Sequence, residues 1–439
     1  MLAVHPIESF GGTFCVPSSK PETQRALLTG ALASGTSIIR NALICNETEF
    51  MMEACRNLGA KITINNNTIS VTGVGQYIHF KNKLIDCHGS ALVFRVFAAL
   101  GGLATSEITL TGNETLRHRP MKPLLSVLED LGAKIEYPEK LYAAPCTLYP
   151  SRLSGGLCRL PANISSQYIT ALLYLGVLLN EPLRIELENV PHSLFYIRQT
   201  VDSLQHAGAH VSMNETQTRF DTAPSTLKAL STKIYGDFTS ASYLVACALL
   251  FPGTSIFTNI DLASLQGEKI IFDVVKQLGI DMRYDAATHE LMIHNETGCL
   301  SGNIEISVKD GPNITPTLAA IGAYVEGEFV VRGAMVCQYH KCDRINTMID
   351  ELRRFGVDID PLYEEGLIDG FIIRGKRSYS GNVTFNTDFK DHRIIMSLFI
   401  LALRADATSF FSYNNMSLIR DSFPNFMDNF ELYKQEIVA

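Results

Sequence analysis

No stretch of about 20 apolar residues runs free of charges or chain breakers in this sequence, so no membrane span is expected. The opening segment, MLAVHPIESFGG, lacks a charged head followed by a long apolar run. No secretory leader is therefore expected, and the expected compartment is the cytoplasm. The 10 cysteines are scattered singly, with no C-x-x-C pair. That spacing argues against zinc sites and redox dithiols and predicts free thiols. Positive charge is also in short supply, because the net charge is −8. A general nucleic-acid binder needs a basic footprint, so that class is excluded. A small anion is still within reach if a few cations converge in one place.

What is present is 439 residues, 46% of them hydrophobic and 19% charged. The length predicts two or three domains. Internal repetition is the most informative pattern. MMEACRNLGAKITI, LLSVLEDLGAKIEY, TVDSLQHAGAHVSM, DVVKQLGIDMRY and MIDELRRFGVDIDP each read as an amphipathic helix, a glycine and an alternating strand. The glycines are Gly59, Gly132, Gly208, Gly279 and Gly356, spaced by 73, 76, 71 and 77 residues. Glycine suits the position because a helix ends readily on a residue that accepts φ > 0. The last segment, NFMDNFELYKQ, is expected to be a sixth copy cut short.

A second series interleaves with the first. TQRALLTGALASGTS, VFRVFAALGGLATSE, SSQYITALLYLGVLL, SASYLVACALLFPGTS, TPTLAAIGAYVEGE and DHRIIMSLFILALRADA are apolar nearly all round and rich in small residues. Such helices are predicted to be buried. A short β-rich stretch follows each. The unit is thus one buried helix, one surface helix and about four short strands, a βαβαββ module repeated six times.

Three sets of residues carry chemistry. In VPSSKPETQRALL, Ser18 and Ser19 precede a helix that starts with Lys20 and carries Arg25. In LPANISSQYITALL, Ser165, Ser166 and Gln167 open a buried helix. Hydroxyls and unbonded amides at a helix start make a seat for an anion. Taken alone, both strings also read as ordinary caps. The third set is cationic: Arg119 in LRHRPMKPLL, Arg344 in HKCDRINTMID and Arg393 in KDHRIIMSL. Arginine pairs with carboxylate and phosphate through a planar fork and does not deprotonate.

Together these strings resemble the enolpyruvyl transferase family, most closely the branch acting on shikimate 3-phosphate. The first is similar to its P-G-S-K-S-x-S-N-R-A run, the second to S-S-Q-[FY]-x-T-A-L-L, and HSLFYIRQTV to S-x-P-Y-I-x-x-T. The arginines match its E-R-P, K-E-x-D-R and D-H-R-x-A-M runs. The resemblance implies a two-domain α/β fold, an inside-out α/β barrel with three modules per domain. The first strand of domain I would be residues 1–19, domain II residues 20–233, and the remainder of domain I residues 234–439. It also implies transfer of an enolpyruvyl (1-carboxyvinyl) group from phosphoenolpyruvate to a hydroxyl of a phosphorylated acceptor, in a cleft between the domains. No metal or cofactor is implied. The expected partners are the two small substrates, with no nucleic acid, no membrane and a monomeric chain.

By the same resemblance Lys20, Arg119, Gln167, Arg344 and Arg393 would bind phosphoenolpyruvate. Arg25, Ser165, Ser166, Ser193, Tyr196 and Asn313 would bind the acceptor. Several positions depart from the family pattern. Pro21 replaces a serine. His340 and Lys341 stand where the family has lysine and the proton-transferring glutamate. Asn313 or Thr317 takes the place of the acceptor-binding aspartate. Asp421 replaces a phosphate-binding lysine, and CHGSALVFR keeps Arg95 but not the glycine-rich approach. His340, Lys341 and Lys20 are therefore the expected catalytic groups, with imidazole better suited than an ordinary amine to accept a proton near neutrality. The altered positions leave two other readings open: a different reaction, such as elimination or isomerisation, on a phosphorylated ligand, or ligand binding without turnover.

Overall fold

The computed structural model describes residues 1–386, 388 and 390–433. The chain divides into two compact units, Met1–Ser18 with Tyr235–Ala439, and Ser19–Ile234. Each unit has its own hydrophobic core.

In the Ser19–Ile234 unit the helices are α1 (Lys20–Leu32), α2 (Asn46–Leu58), α3 (Ala91–Gly101), α4 (Glu114–Arg117), α5 (Lys122–Asp130), α6 (Ser166–Leu178) and α7 (Leu194–His206). Helices α1, α3 and α6 are buried along nearly their whole length. Three four-stranded sheets accompany them, each with one parallel and two antiparallel pairings. Their strands alternate buried and exposed residues, as in Thr68–Thr72 and Arg219–Ala223, which is the pattern of a sheet with one face on the core. One strand is out of sequence. Ser231–Lys233, at the end of the unit, pairs in parallel with Thr36–Arg40 near its start.

In the other unit the helices are α8 (Phe238–Leu250), α9 (Ile270–Gln277), α10 (Thr315–Gly322), α11 (Arg344–Phe355) and α12 (His392–Leu403). Here α8, α10 and α12 are the buried ones. All six buried helices therefore fall on the six apolar segments of the sequence. Their small residues have a packing cause. A Cβ on Gly176 of α6 would meet the Thr222 hydroxyl at 2.2 Å, and one on Gly322 of α10 would meet the Phe329 ring at 2.9 Å. A larger residue would push the sheet off the helix.

The five repeat glycines follow the surface helices at positive φ: 113° at Gly59, 106° at Gly132, 86° at Gly208, 70° at Gly279 and 93° at Gly356. The sixth copy differs from its expectation. Met427–Tyr433 is 3₁₀-helical rather than helix, glycine and strand, and Lys434 and Gln435 lie outside the described residues. The strand antiparallel to Ser409–Phe411 comes from the other end of the chain, where Leu2 pairs with Phe411 and Val4 with Ser409. The N-terminal segment thus supplies two strands rather than one. Gly12–Cys15 joins a different sheet, in parallel with Gly253–Thr258. Among the described residues no helix is long and apolar enough to cross a membrane, and no cluster of side chains fits a metal ion.

Candidate active site

In the Ser19–Ile234 unit the helix starts collect at one end. Ser19 caps α1, its hydroxyl accepting from the Glu22 amide at 3.4 Å, and Lys20 is the first helical residue. The Lys20 ammonium lies near Cys45, whose thiol is pushed up by burial and partly restored by that charge. Arg25, one and a half turns along α1, is 4% exposed. Its Nε donates to the Thr200 hydroxyl at 2.9 Å and its Nη2 to the Tyr196 carbonyl at 2.8 Å, both on α7. Its Nη1 donates to the Pro21 carbonyl at 3.0 Å. Thr200 in turn meets Thr170 of α6 at 3.0 Å. Early turns of α1, α6 and α7 are thereby tied together. Ser193, immediately before α7, is buried in the left-handed region at φ 58°.

Arg95 of α3 completes this end. It is 1% exposed. Its Nη1 donates to the Gln167 side-chain carbonyl at 2.6 Å and to the Ser165 hydroxyl at 2.8 Å. Its Nη2 donates to the Pro120 carbonyl at 3.1 Å, and the guanidinium stacks 4.6 Å from the Tyr168 ring centroid. The Tyr168 hydroxyl also donates to Pro120, at 2.6 Å. Arg119, next to Pro120, is close enough to act on the Tyr168 phenol electrostatically, as Arg95 does. Because Arg95 takes the amide oxygen of Gln167, the amide nitrogen is left as donor. Ser165 caps α6 by accepting from the Gln167 amide at 3.3 Å, and Ser166 begins the helix, buried.

The hydrogen bonds of Arg25 and Arg95 all go to neutral groups. Burial lowers the pKa of both guanidiniums, but arginine stays charged across the physiological range. The two guanidiniums lie with the positive ends of α1, α3, α6 and α7, and the carboxylates of Glu22 and Glu47 stand at the same helix starts, Glu22 acting on Arg25 and Glu47 accepting from Ser90 at 2.8 Å.

In the other unit the centre is Arg344, the first residue of α11, 4% exposed. Its Nε donates to the Asp391 carboxylate at 2.8 Å and Nη2 to the second oxygen at 3.4 Å. Its Nη1 reaches the Asn313 carbonyl oxygen at 3.1 Å and His340 Nδ1 at 2.8 Å. Asp391 is fully buried and caps α12, accepting from the Arg393 amide at 2.9 Å. Burial alone would raise its pKa. The Arg344 guanidinium, with help from Lys341, overcomes that and holds it below the usual carboxylate value. Arg393 lies beside the buried Tyr243 phenol, which burial pushes up to about 12. Lys341 pairs with Asp421 at 2.6 Å.

The two residues left open at the acceptor position have different surroundings. Asn313 joins the cluster, its amide nitrogen donating to buried Glu268 at 3.1 Å. Thr317 is buried in α10, with its hydroxyl between those of Ser242 and Ser397. The geometry also constrains His340. An arginine N–H can only donate, so the facing Nδ1 carries the lone pair and a neutral ring has its proton on Nε2. The nitrogen best placed to accept a proton is therefore already bonded to Arg344.

Within the first unit Lys20, Arg25, Arg119, Ser165, Ser166, Gln167, Ser193 and Tyr196 lie at or near the gathered helix starts. Within the second, Asn313, His340, Lys341, Arg344 and Arg393 gather at the starts of α11 and α12. Three residues that hold these groups were not assigned from the sequence: Arg95 as the clamp on Gln167, Asp391 as the partner of Arg344, and Glu268 behind Asn313. Asp391 had a signal, since an acid immediately before a buried helix is a capping residue. Arg95 was visible as the arginine kept in CHGSALVFR, though not its partners, and Glu268 depends on a neighbour 45 residues away in sequence.

Solved structures place the architecture in a class. EPSP synthase from Acinetobacter baumannii matches with a TM-score of 0.79 over 100% of this chain and 98% of that one, at 21% identity. The enolpyruvyl transferase NikO from Streptomyces tendae matches with a TM-score of 0.73 over 98% and 96%, at 16% identity. The fold is that of the enolpyruvyl transferases.

Sequence comparison narrows the class. The profile of the EPSP synthase (3-phosphoshikimate 1-carboxyvinyltransferase) family matches residues 4–430. The 3-phosphoshikimate 1-carboxyvinyltransferase of Methanothermobacter thermautotrophicus is 31% identical over 425 residues, covering 97% of this chain and 96% of its own. That of Chlamydia abortus is also 31% identical, over 95% and 90%. The chain belongs to the EPSP synthase family.

Proposed function

We propose that the protein transfers the 1-carboxyvinyl group of phosphoenolpyruvate to a hydroxyl of shikimate 3-phosphate and releases phosphate. The acceptor hydroxyl gives up its proton as its oxygen attacks C2 of phosphoenolpyruvate, and a proton is delivered to C3. The resulting tetrahedral intermediate then expels phosphate and loses a proton from C3, which restores the double bond. Both substrates are anions, and the chemistry is anion binding joined to proton transfer.

The observation that carries this reading is the Arg95 network at the start of α6, on a chain that matches the family from residue 4 to 430. Ser165, Ser166 and Ser193 would receive the phosphate of the acceptor at two helix starts. Tyr196 would lie against the acceptor, and Asn313 would bond to its hydroxyls. Arg25, with three of its donors bonded to the protein, would act on the acceptor mainly by fixing Tyr196. Lys20, Arg119, Gln167, Arg344 and Arg393 would hold the carboxylate and phosphate of phosphoenolpyruvate. His340, Lys341 and Lys20 are the groups proposed for proton transfer.

Phosphate release is the direct test. With both substrates present, phosphate should appear in step with a product heavier than shikimate 3-phosphate by the carboxyvinyl group. Neither substrate alone should release it. A wild-type protein that leaves both substrates unchanged, or that converts shikimate 3-phosphate without phosphoenolpyruvate, would overturn the proposal.

A further inference from the structure

The start of α12 carries a second ion pair besides the Arg344–Asp391 pair. Lys341 Nζ lies 2.6 Å from Asp421 Oδ2, with side-chain exposures of 13% and 10%. Asp421 ends the 3₁₀ run Tyr413–Asp421, which packs on α12. The same carboxylate oxygen is 3.9 Å from Nδ1 of His392, the first residue of α12. Lys341 is thus held against the beginning of the helix that presents Arg393, three residues ahead of the Arg344 that begins α11.

A lysine stem is flexible and its rotamer freedom is costly to lose. An ammonium left to itself at a largely buried site would sample several positions. A carboxylate at 2.6 Å selects one. Lys341 and Arg393 thus stand together at the start of α12, while Arg344 beside them is taken up by Asp391. An ammonium fixed beside an arginine at a helix start suits a phosphoryl group, whose three oxygens accept charge-assisted bonds from several donors at once.

We propose that Lys341 binds the phosphoryl group of phosphoenolpyruvate and that Asp421 is the positioning residue that fixes its ammonium for this task. The assignment rests on the reaction proposed above and gives Lys341 a binding role beside Arg344 and Arg393. Asp421 does not touch substrate. Its effect passes through Lys341.

Steady-state kinetics on the full chain separates the roles. Lys341→Met should raise the KM for phosphoenolpyruvate by about tenfold or more, the size of one charge-assisted hydrogen bond. Asp421→Asn should raise the same KM by about three- to tenfold, with the KM for shikimate 3-phosphate within about threefold of wild type. Asp421→Glu should recover part of the loss. Thermal unfolding of each variant shows whether it is folded. An unchanged phosphoenolpyruvate KM in Lys341→Met would overturn the role of Lys341. An unchanged KM in Asp421→Asn, or equal rises in both KM values alongside a lowered Tm, would overturn the positioning role. A wild-type protein with no phosphate release would instead defeat the underlying reaction, and the proposal would fall with it.

Discussion

Arg344, the first residue of α11, and Asp391, the cap of α12, form a buried ion pair at 2.8 Å with side-chain exposures of 4% and 0%. One contact thus joins the starts of two helices and orients the guanidinium that also bonds to Asn313 and His340. Removing one partner of such a pair strands the other charge without compensation, which costs about 3–5 kcal/mol. Asp391→Asn should therefore lower unfolding stability by about that amount near neutral pH. The sign of the pH effect follows from the lowered pKa of Asp391 in the folded protein. Its contribution is present above the unfolded carboxylate value of about 3.9 and is lost as pH falls toward the folded value. Denaturant unfolding as a function of pH should show that loss in the wild type. The Asn variant should lack this component. Equal midpoints for the two proteins at pH 7 would refute the argument.

Arg95 supports a second prediction. Its single Nη1 holds both the Gln167 carbonyl and the Ser165 cap. Lysine cannot reproduce a fork that also stacks on Tyr168. Arg95→Lys should lower kcat/KM by about 10- to 100-fold, the equivalent of one or two charge-assisted hydrogen bonds. If Arg95 acts through Gln167, adding Gln167→Ala should cost much less in the Arg95→Lys background than in the wild type. Additive losses would mean that Arg95 serves something other than Gln167.

Much of this architecture is readable from sequence because it rests on local rules. A helix that needs an αL residue at its end shows a glycine, and Gly59, Gly132, Gly208, Gly279 and Gly356 all adopt positive φ. A helix buried on every side shows few charges, and all six such segments are buried. The reading fails where partners are remote. Leu2–Val4 is three residues long and pairs with Ser409–Phe411 at the far end of the chain. Three residues are too few to display an alternating period. The site divides in the same way. Ser165, Ser166 and Gln167 are visible as a helix start, and Arg344 as a charge beside a cap. Sequence does not show that Arg95 bonds to Gln167 72 residues away, or that Arg344 bonds to Asp391 47 residues away.

The ten thiols should divide sharply in reactivity. Cys15 and Cys299 are exposed, whereas Cys342 is partly covered and the other seven are buried. Burial pushes the Cys337 thiol up to about 11 and those of Cys55, Cys146 and Cys158 up to about 12. Their thiolate fraction at neutral pH is then negligible, and the thiolate is the reactive form. A colorimetric thiol reagent at pH 7.5 should modify two thiols quickly in the native protein and all ten after denaturation. Mass mapping should place the first two labels on Cys15 and Cys299. Early labelling of Cys55 or Cys146 would contradict the packing described.

The Lys341–Asp421 pair permits a test by exchange. Lys341→Glu alone sets two carboxylates side by side, and Asp421→Lys alone sets two ammoniums together. At a separation of about 4 Å and an effective dielectric near 20, like charges repel by on the order of 4 kcal/mol, an upper figure before the side chains move apart. Each single variant should therefore lower both Tm and kcat/KM. The double exchange restores an ion pair in a largely buried place and keeps one ammonium beside the start of α12. Its Tm should return close to that of the wild type. Its kcat/KM should exceed that of either single variant by at least about tenfold, which corresponds to a coupling of about 1.4 kcal/mol. A full return of Tm without any return of kcat/KM would mean that the ammonium must come from position 341. Losses that simply add would mean that the 2.6 Å contact carries no coupling at all, because two groups that depend on each other cannot be changed independently.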